Sequence, residues 1–415
     1  MALLIALAWF GRKWLAQIPL GQARSAFSNH ESERALEWLD TAEWVGGDTS
    51  ETEFYRARAY RKMGQFEKSR FHLQDALDQG FDRQRVLREQ WLAQAQSGQM
   101  EKAEPHLARL LSDPRGDERE IAEAYVAGYV RVHRLTEAVR ILESWKKDFP
   151  EDYRPWFLGG KVYLRETRWK KATEELTKAW ELNGGSSDVA FHLAEGLQGE
   201  KKFREAREWF QRVDEGSPYF LPARVRVVRT LRMQGELTSA QAKAEALATE
   251  FPSEEEVLTE LGMIQLDAGE YADAVVSFHK AHADESRDME IRYAVANAIR
   301  GAGDVELARE HFDWLKQAQR AHSKADTLKM KVFSEPDNVD ARSEAGALML
   351  TYGNPTEGLI WLHGALSYDP SHQPTHAVLA RFYEARKDRK YHQLATRHRK
   401  LAGEAYVGAK ENTPD

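Results

Sequence analysis

Cysteine is absent from all 415 residues. That excludes disulfide frameworks, zinc ribbons, thiolate-bound clusters and cysteine nucleophiles together. It leaves the compartment open, because a cysteine-free chain suits reducing and oxidising surroundings equally. Proline is scarce, at 13 residues, so long helices are permitted. A basic excess is missing as well: 59 Lys and Arg stand against 66 Asp and Glu, a net charge of -7. No global footprint for DNA follows from that balance. Nucleophile elbows, phosphate-binding Walker loops, HExxH helices and Gly-rich dinucleotide turns are all lacking, which leaves no catalytic residue to name. With 42% apolar residues a core is within reach, and the length alone suggests two or three domains of about 150 residues.

What is present is periodic. A small residue stands four before a bulky one and seven before another apolar or small one in Ala172, Leu176 and Ala179. The triplet returns as Ala206, Phe210 and Val213, as Ala274, Phe278 and Ala281, and as Ala308, Phe312 and Leu315. Upstream it reads Ala138, Leu142 and Trp145, then Ser69, Leu73 and Ala76. Setting the small residue to position 20 gives unit starts at 16, 50, 84, 119, 153, 187, 221, 255 and 289, then at 339 and 373. Each unit holds two runs with the 3-and-4 spacing of an amphipathic helix. A glycine near position 15 (Gly64, Gly98, Gly235, Gly269, Gly303 or Gly353) parts the runs, as suits a left-handed helix end. One such helical pair cannot bury its apolar face alone, so neighbours must stack.

The pattern resembles the tetratricopeptide repeat, whose signature places W-x2-L-G-x2-Y before A-x3-F-x2-A and a closing proline. The unit from 153 carries Trp156, Gly160, Tyr163, Ala172, Leu176 and Ala179, and the unit from 255 carries Leu258, Leu261, Gly262, Tyr271, Ala274, Phe278 and Ala281. Closing prolines fall at Pro150, Pro218, Pro252 and Pro370. Trp91, Val126 and Val228 depart from the small residue of position 8, and His392 from that of position 20. The resemblance implies an all-α, right-handed α-solenoid, a superhelix of eleven helix-turn-helix repeats. The expected organisation is an apolar N-terminal segment at 1–15, nine repeats at 16–322, a helical extension at 323–338, two further repeats at 339–406 with the last divergent, and a polar tail at 407–415. The extension continues the second helix of the ninth unit from about 305 to about Phe333.

The N-terminal segment has two open readings. Leu3 to Phe10 is an unbroken apolar run followed by Arg12 and Lys13. It is an amphipathic cap over the first repeat, or part of a membrane anchor that tethers a cytoplasmic solenoid. That layout resembles membrane-tethered bacterial repeat adaptors with a rubredoxin-like metal domain, but a chain without cysteine cannot carry the metal domain.

The resemblance also implies where a partner would sit. In this family the first helix of each unit lines the concave face, with positions 2, 5, 9, 12 and 13 looking inward. In the units from 50 to 289, positions 9, 12 and 13 supply Arg58, Arg61, Lys62, Arg131, Lys161, Arg165, Arg229, Arg232 and Arg300, against only Glu195 and Asp267. Position 5 adds Phe54, Phe157, Phe191 and Tyr293, and Asn297 stands at position 9 of the ninth unit. A basic, aromatic concavity suits an acidic protein segment, since Arg pairs carboxylates in two-point fashion. The plainer alternative is that these Arg side chains bridge to acidic neighbours on adjacent repeats. The Lys and Asn clamp of chaperone-binding family members is not carried over: Phe54 and Arg58 occupy its places in the second unit, and Asn297 lacks the accompanying Lys. The expectation is a non-enzymatic adaptor or scaffold without cofactor or metal. The alternatives are a membrane-tethered scaffold working through its convex surface or ends and, as a minor one, RNA binding. The pairs His279/His282 and His372/His376 have ligand-like spacing without a third ligand. Five histidines in the last two units (His363, His372, His376, His392, His398) form a further cluster.

Overall fold

The computed structural model describes residues 15–27, 31–46, 49–132, 134–335, 337–386 and 389–408. These residues form helices and turns, with no strand among them. The apolar N-terminal segment and the polar tail lie almost wholly outside the described residues. Among the described residues, no helix is long and apolar enough to cross a membrane.

The chain divides into two compact units, Met1–Phe220 and Leu221–Asp415. In unit 1, residues 15–27 form α1. It is followed by α2 (Ser32–Gly46), α3 (Ser50–Lys62), α4 (Phe66–Asp78), α5 (Arg83–Gln96), α6 (Met100–Ala103) and α7 (Leu107–Ser112). Then come α8 (Glu118–Arg131), α9 (Leu135–Asp148), α10 (Arg154–Arg165), α11 (Trp169–Leu182), α12 (Ser187–Gly199) and α13 (Phe203–Phe210). The second run opens with α14 (Phe220–Met233), which begins one residue before unit 2, then α15 (Leu237–Glu250), α16 (Glu255–Asp267), α17 (Tyr271–Lys280), α18 (Met289–Gly301) and α19 (Val305–Ser334). It ends with α20 (Val339–Tyr352), α21 (Pro355–Tyr368), α22 (Gln373–Glu384), α23 (Arg389–Ala402) and α24 (Glu404–Gly408). The division falls after α13, which is short and is followed by a turn-rich stretch at 211–219. The irregular interval of the sequence lies elsewhere, within the 30-residue helix α19.

One turn design recurs. After α3, Gly64 takes φ 72°, its N–H donates to the Arg61 carbonyl and the Gln65 N–H donates to the Tyr60 carbonyl. This pair of bonds satisfies carbonyls the helix end would leave open. The same pair closes α5 at Gly98, α14 at Gly235, α16 at Gly269 and α18 at Gly303. It also closes α10 at Thr167 and α12 at Lys201, both left-handed although neither is glycine. Gly353 departs from the expectation: its φ is -134°, and the Asn354 side chain, just ahead of Pro355, caps α21 instead.

The apolar triplets form the seams between the paired helices. Ala172, Leu176 and Ala179 are sealed, as are Ala138, Leu142, Ala274 and Phe278. Small residues on the facing helix are required by close approach. A Cβ on Gly160 would lie 2.4 Å from Leu176 Cγ, and one on Gly128 would lie 2.2 Å from the Ala95 carbonyl oxygen. The unit from 84 is the irregular one, because its second helix breaks into α6, a 3-10 turn at Glu104–His106 and α7. Pro105 sits inside that turn, where it has no N–H to donate and its ring crowds the preceding turn.

Candidate functional site

The basic residues of the second repeat do not face open solvent. Arg61 is 3% exposed. Its Nε donates to Glu89 Oε1, and its two terminal nitrogens donate to Gln96 Oε1 and Glu120 Oε2 at 2.9 Å each. Arg58 donates to Glu120 Oε2 at 2.8 and 3.0 Å and to Asp117 Oδ1 at 2.6 Å. Lys62 Nζ lies 3.1 Å from Glu120 Oε1. Three consecutive first helices, α3, α5 and α8, are thereby tied by one ionic network. Burial alone would push the Glu120 carboxyl up, but Arg58, Arg61 and Lys62 overcome it and hold the group well below the usual carboxylate range. Phe54, expected as a groove aromatic, is buried and stacked 4.6 Å from Phe81, with the Arg85 guanidinium 4.7 Å from its ring centre.

A different arrangement surrounds α10 and α12. Phe191 is buried against Tyr219, with ring centres 4.7 Å apart. His192 donates from Nδ1 to the Asp188 carbonyl at 2.7 Å, and its ring meets Phe157 edge-on at 5.4 Å. Lys161 Nζ stands 5.2 Å from the centre of the Phe157 ring. No carboxylate among the described residues pairs with Lys161. Burial lowers its ammonium below the ordinary lysine value, and the attraction of Asp188 and Glu195 only partly offsets that. Arg165, one turn on, and Arg131, on α8, are exposed and likewise have no ion-pair partner.

In unit 2, Arg229 and Arg232 close on one buried carboxylate. Their Nε atoms donate to Glu260 Oε2 at 2.8 Å and Oε1 at 2.7 Å, and Arg232 also reaches Asp267 at 3.1 Å. Tyr293 is 57% exposed. Asn297 Nδ2 donates to the Tyr293 carbonyl at 2.8 Å, and Arg300 donates to Asn297 Oδ1 at 2.7 Å. Tyr293 and Arg300 line a cleft of about 960 Å³ with Phe312 and Leu315 of α19.

Two titratable clusters lie apart from these helices' candidate faces. Glu53, His72 and Asp75 bring ligand atoms within 4.8 Å of one another. The buried Glu53 is already satisfied by His72 Nδ1 at 2.6 Å and by Arg56 at 3.6 Å, a neighbour that disfavours a cation. In the last repeats, His376 Nε2–H donates to the Pro370 carbonyl at 3.0 Å, which leaves its Nδ1 to accept from His398 Nδ1–H at 2.8 Å. Burial, then His376, His363 and Arg397, push His398 down to about 4. His372 bonds Thr375 and Asp340 instead, and His279 is exposed beside Asp284.

No protein-family model and no curated protein matches the chain. Among solved structures it is similar to PilW, a type IV pilus biogenesis factor, at 19% identity over 48% of this chain and 91% of that one, with a TM-score of 0.43. It is similar to a tetratricopeptide repeat protein from Parabacteroides merdae at 15% identity over 68% and 98% of the two chains, with a TM-score of 0.37. Pseudomonas aeruginosa PilF gives 17% identity over 60% and 96%, with a TM-score of 0.36. Within this chain itself, one helix pair recurs with a small residue on each helix at the crossing and one turn between them. The fold is a tetratricopeptide-type α-solenoid.

That fold explains both what the sequence brings together and what a count of basic residues misses. Positions 9 and 12 of a first helix meet position 6 of the next first helix. Arg58 and Arg61 meet Glu89 there, and Arg229 and Arg232 meet Glu260. Glu89, Asp117, Glu120 and Glu260 lie outside positions 9, 12 and 13, so the basic surplus counted along those rows is largely neutralised within the protein. The correction applies to Arg58, Arg61, Lys62, Arg229 and Arg232. The signal that finds their partners is an Arg at positions 9 and 12 followed by a Glu at position 6 one unit later. Lys161 meets His192 at that place instead, which is why it stays without a carboxylate.

Proposed function

We propose that the protein is a non-enzymatic adaptor that holds an acidic segment of a partner protein on the first-helix face around α10. The observation that supports this is Lys161: a half-buried ammonium beside Phe157 that no carboxylate among the described residues pairs, with exposed Arg165 one turn away. A partly desolvated cation without a paired carboxylate is less favourable than a paired one, and a ligand carboxylate lowers that cost on binding. Arg131 extends the basic character to the preceding first helix. Phe157 offers an apolar face to an aromatic or aliphatic side chain of the same segment. Arg58, Arg61, Lys62, Arg229 and Arg232 serve instead to fix consecutive repeats to each other, and so hold the face in register.

The probe is a fluorescein-labelled decapeptide alternating Glu with Phe and Leu, titrated with the full chain. Binding is expected in the micromolar range, about -8 kcal/mol. The double substitution Lys161→Glu with Arg165→Glu should weaken it at least about tenfold and flatten its dependence on salt. A double mutant that keeps its melting temperature and binds as tightly as wild type rules this reading out.

A further inference from the structure

A second surface, in unit 2, goes beyond that reading. At position 24 of their units, Leu39, Leu73, Leu142, Leu176, Phe210 and Phe278 are sealed, none more than 2% exposed. Leu107, in the broken second helix of the unit from 84, is half-buried at this position, and so is Phe312 in the unbroken helix of the ninth unit, together with Leu315 three residues later. Among the aromatics of position 5, Phe54 and Phe191 are buried and Phe157 is half-buried, whereas Tyr293 is 57% exposed. The cause lies in α19. Its 30 residues carry the following hairpin away from the place where a next first helix would pack. Helix α20 docks on the later part instead, where Tyr352 donates its hydroxyl to Gln317 and accepts at its carbonyl from His322 Nε2, and where Lys324 pairs with Glu344. Lys329 ties the start of α21 by pairing with Glu357.

The space so vacated is the 960 Å³ cleft, with Tyr293 and Arg300 on one wall and Val305, Phe312 and Leu315 on the other. It is adjoined along α19 by a second trough of about 770 Å³ that shares Lys316 and Gln319 with it and reaches Leu328. Five basic side chains border the two (Arg300, Arg309, Lys316, Arg320 and Lys324), against the acidic Glu290 and Asp313. Three of the five meet acids of their own: Lys316 pairs with Asp313 at 2.9 Å, Arg309 lies 4.0 Å from Glu306 and Lys324 pairs with Glu344, while Arg320 has no ion-pair partner among the described residues.

We propose that this cleft seats an amphipathic α-helix of a partner protein, its apolar stripe on Tyr293, Phe312 and Leu315 and its acidic flank toward Arg309, Lys316 and Arg320. A helix is the element that seals the same positions in the other repeats, and the knobs left open here are the ones a first helix covers. The wall from Val305 to Gln319 runs 15 residues, about 22 Å, which sets the length of the occupant at roughly 15 residues. The basic border, in a chain of net charge -7, selects an acidic flank over a basic one.

The test uses the full chain and a fluorescein-labelled, helix-stapled 16-residue peptide with Leu at positions 2, 6, 9 and 13 and Glu elsewhere on the flanks. Micromolar binding is expected, with a Lys-flanked version at least about tenfold weaker. Tyr293→Asp and, separately, Arg309→Glu with Arg320→Glu should each weaken the Glu peptide about tenfold or more. Both sites are exposed, so retention of the circular dichroism spectrum and melting temperature is the control for folding. Lys161→Glu with Arg165→Glu should leave this peptide's affinity unchanged, which keeps the unit 1 reading and this one separable. A peptide with Ser in place of Leu that binds as well shows polyanion binding only and overturns the proposal. So does wild-type affinity in Tyr293→Asp, or no binding at about 1 mM peptide. A dimer by sedimentation that Tyr293→Asp dissolves assigns the cleft to a second copy of this chain and equally overturns it.

Discussion

Both units carry the same ionic clamp at the same places in their repeats, and bury it to different depths. Arg58 and Arg61 close on Glu89 as Arg229 and Arg232 close on Glu260. In unit 1 the carboxylates of Asp117, at the end of the next repeat, and Glu120, in the repeat after it, fold over the pair, and the Arg61 side chain is 3% exposed. In unit 2, among the described residues, only Asp267 joins, and the Arg229 side chain keeps 27% of its surface. One motif thus serves as core in one unit and as a surface tie in the other, and the deciding factor is whether a third helix supplies a lid. Removing one partner of a buried ion pair leaves an uncompensated charge, which costs about 3–5 kcal/mol. Glu89→Ala should lower stability by about 3 kcal/mol in urea unfolding, the lower end of that range, because Arg58 and Arg61 stay buried but keep Glu120. Glu260→Ala should cost about 2 kcal/mol, because Arg229 relaxes into water and Arg232 keeps Asp267. Equal losses at the two sites would break the comparison.

The repeat, the helix pairs and most of their turns were readable from residue spacing, because close packing at Gly160 and Leu176 or at Gly262 and Phe278 constrains residue size at fixed intervals. The long helix was readable for the same reason: its apolar spacing continues through Ala318, Ala321, Ala325 and Val332, all buried. The candidate site was less legible. Sorting basic residues by position within one unit omits the carboxylates that other units bring to them, and ionic partners such as Arg61 and Glu120 are 59 residues apart. Nothing in a 34-residue period forbids Lys161 from having a Glu at the facing place, and only the identity of His192 there distinguishes it from Arg58. Exposure of Tyr293 was hidden for another reason. It depends on where α20 docks along α19, a choice that leaves Tyr293 and its neighbours chemically unchanged.

Acid should separate the last repeats of unit 2 from the ionic network of unit 1. His398 is held below the ordinary histidine value of 6.5, down to about 4, so the folded chain takes up fewer protons there than the unfolded chain does. The stability this contributes to unit 2 is present above about pH 6.5 and is lost as pH falls toward about 4. The groups facing it are His376, His363, Arg397 and Tyr383. Glu120 in unit 1 is also depressed, from 4.5. Its contribution is present above pH 4.5 and is lost only as pH falls below that. Hydrogen exchange by mass spectrometry, corrected for intrinsic rates, should show loosening around α22 and α23 by pH 5, with α3, α5 and α8 still protected. His398→Phe should shrink the loosening of α22 and α23, in which the likewise depressed His363 also shares, and loss of protection in α3, α5 and α8 first would reverse the comparison.

The smallest expected difference lies in the turns. Unit 2 closes α14, α16 and α18 with glycine in the left-handed region, as unit 1 closes α3 and α5, but unit 1 also places Thr167 and Lys201 there at φ 54° and 63°. A left-handed conformation costs a residue with a Cβ about 1–2 kcal/mol, and most for a β-branched one. Glycine avoids that strain but loses roughly 0.5–1 kcal/mol more backbone entropy on folding. The balance favours glycine at a position whose two turn hydrogen bonds, from Thr167 to Leu164 and from Arg168 to Tyr163, are already in place. Thr167→Gly should therefore stabilise the protein by about 0.5–1 kcal/mol, and Gly269→Thr should destabilise it by a similar amount. Both are read as shifts of the urea midpoint at constant slope. A Thr167→Gly variant that loses stability would mean that the Thr167 side chain holds the unit 1 turn through contacts worth more than its strain, and the two units would then close their helices by different means.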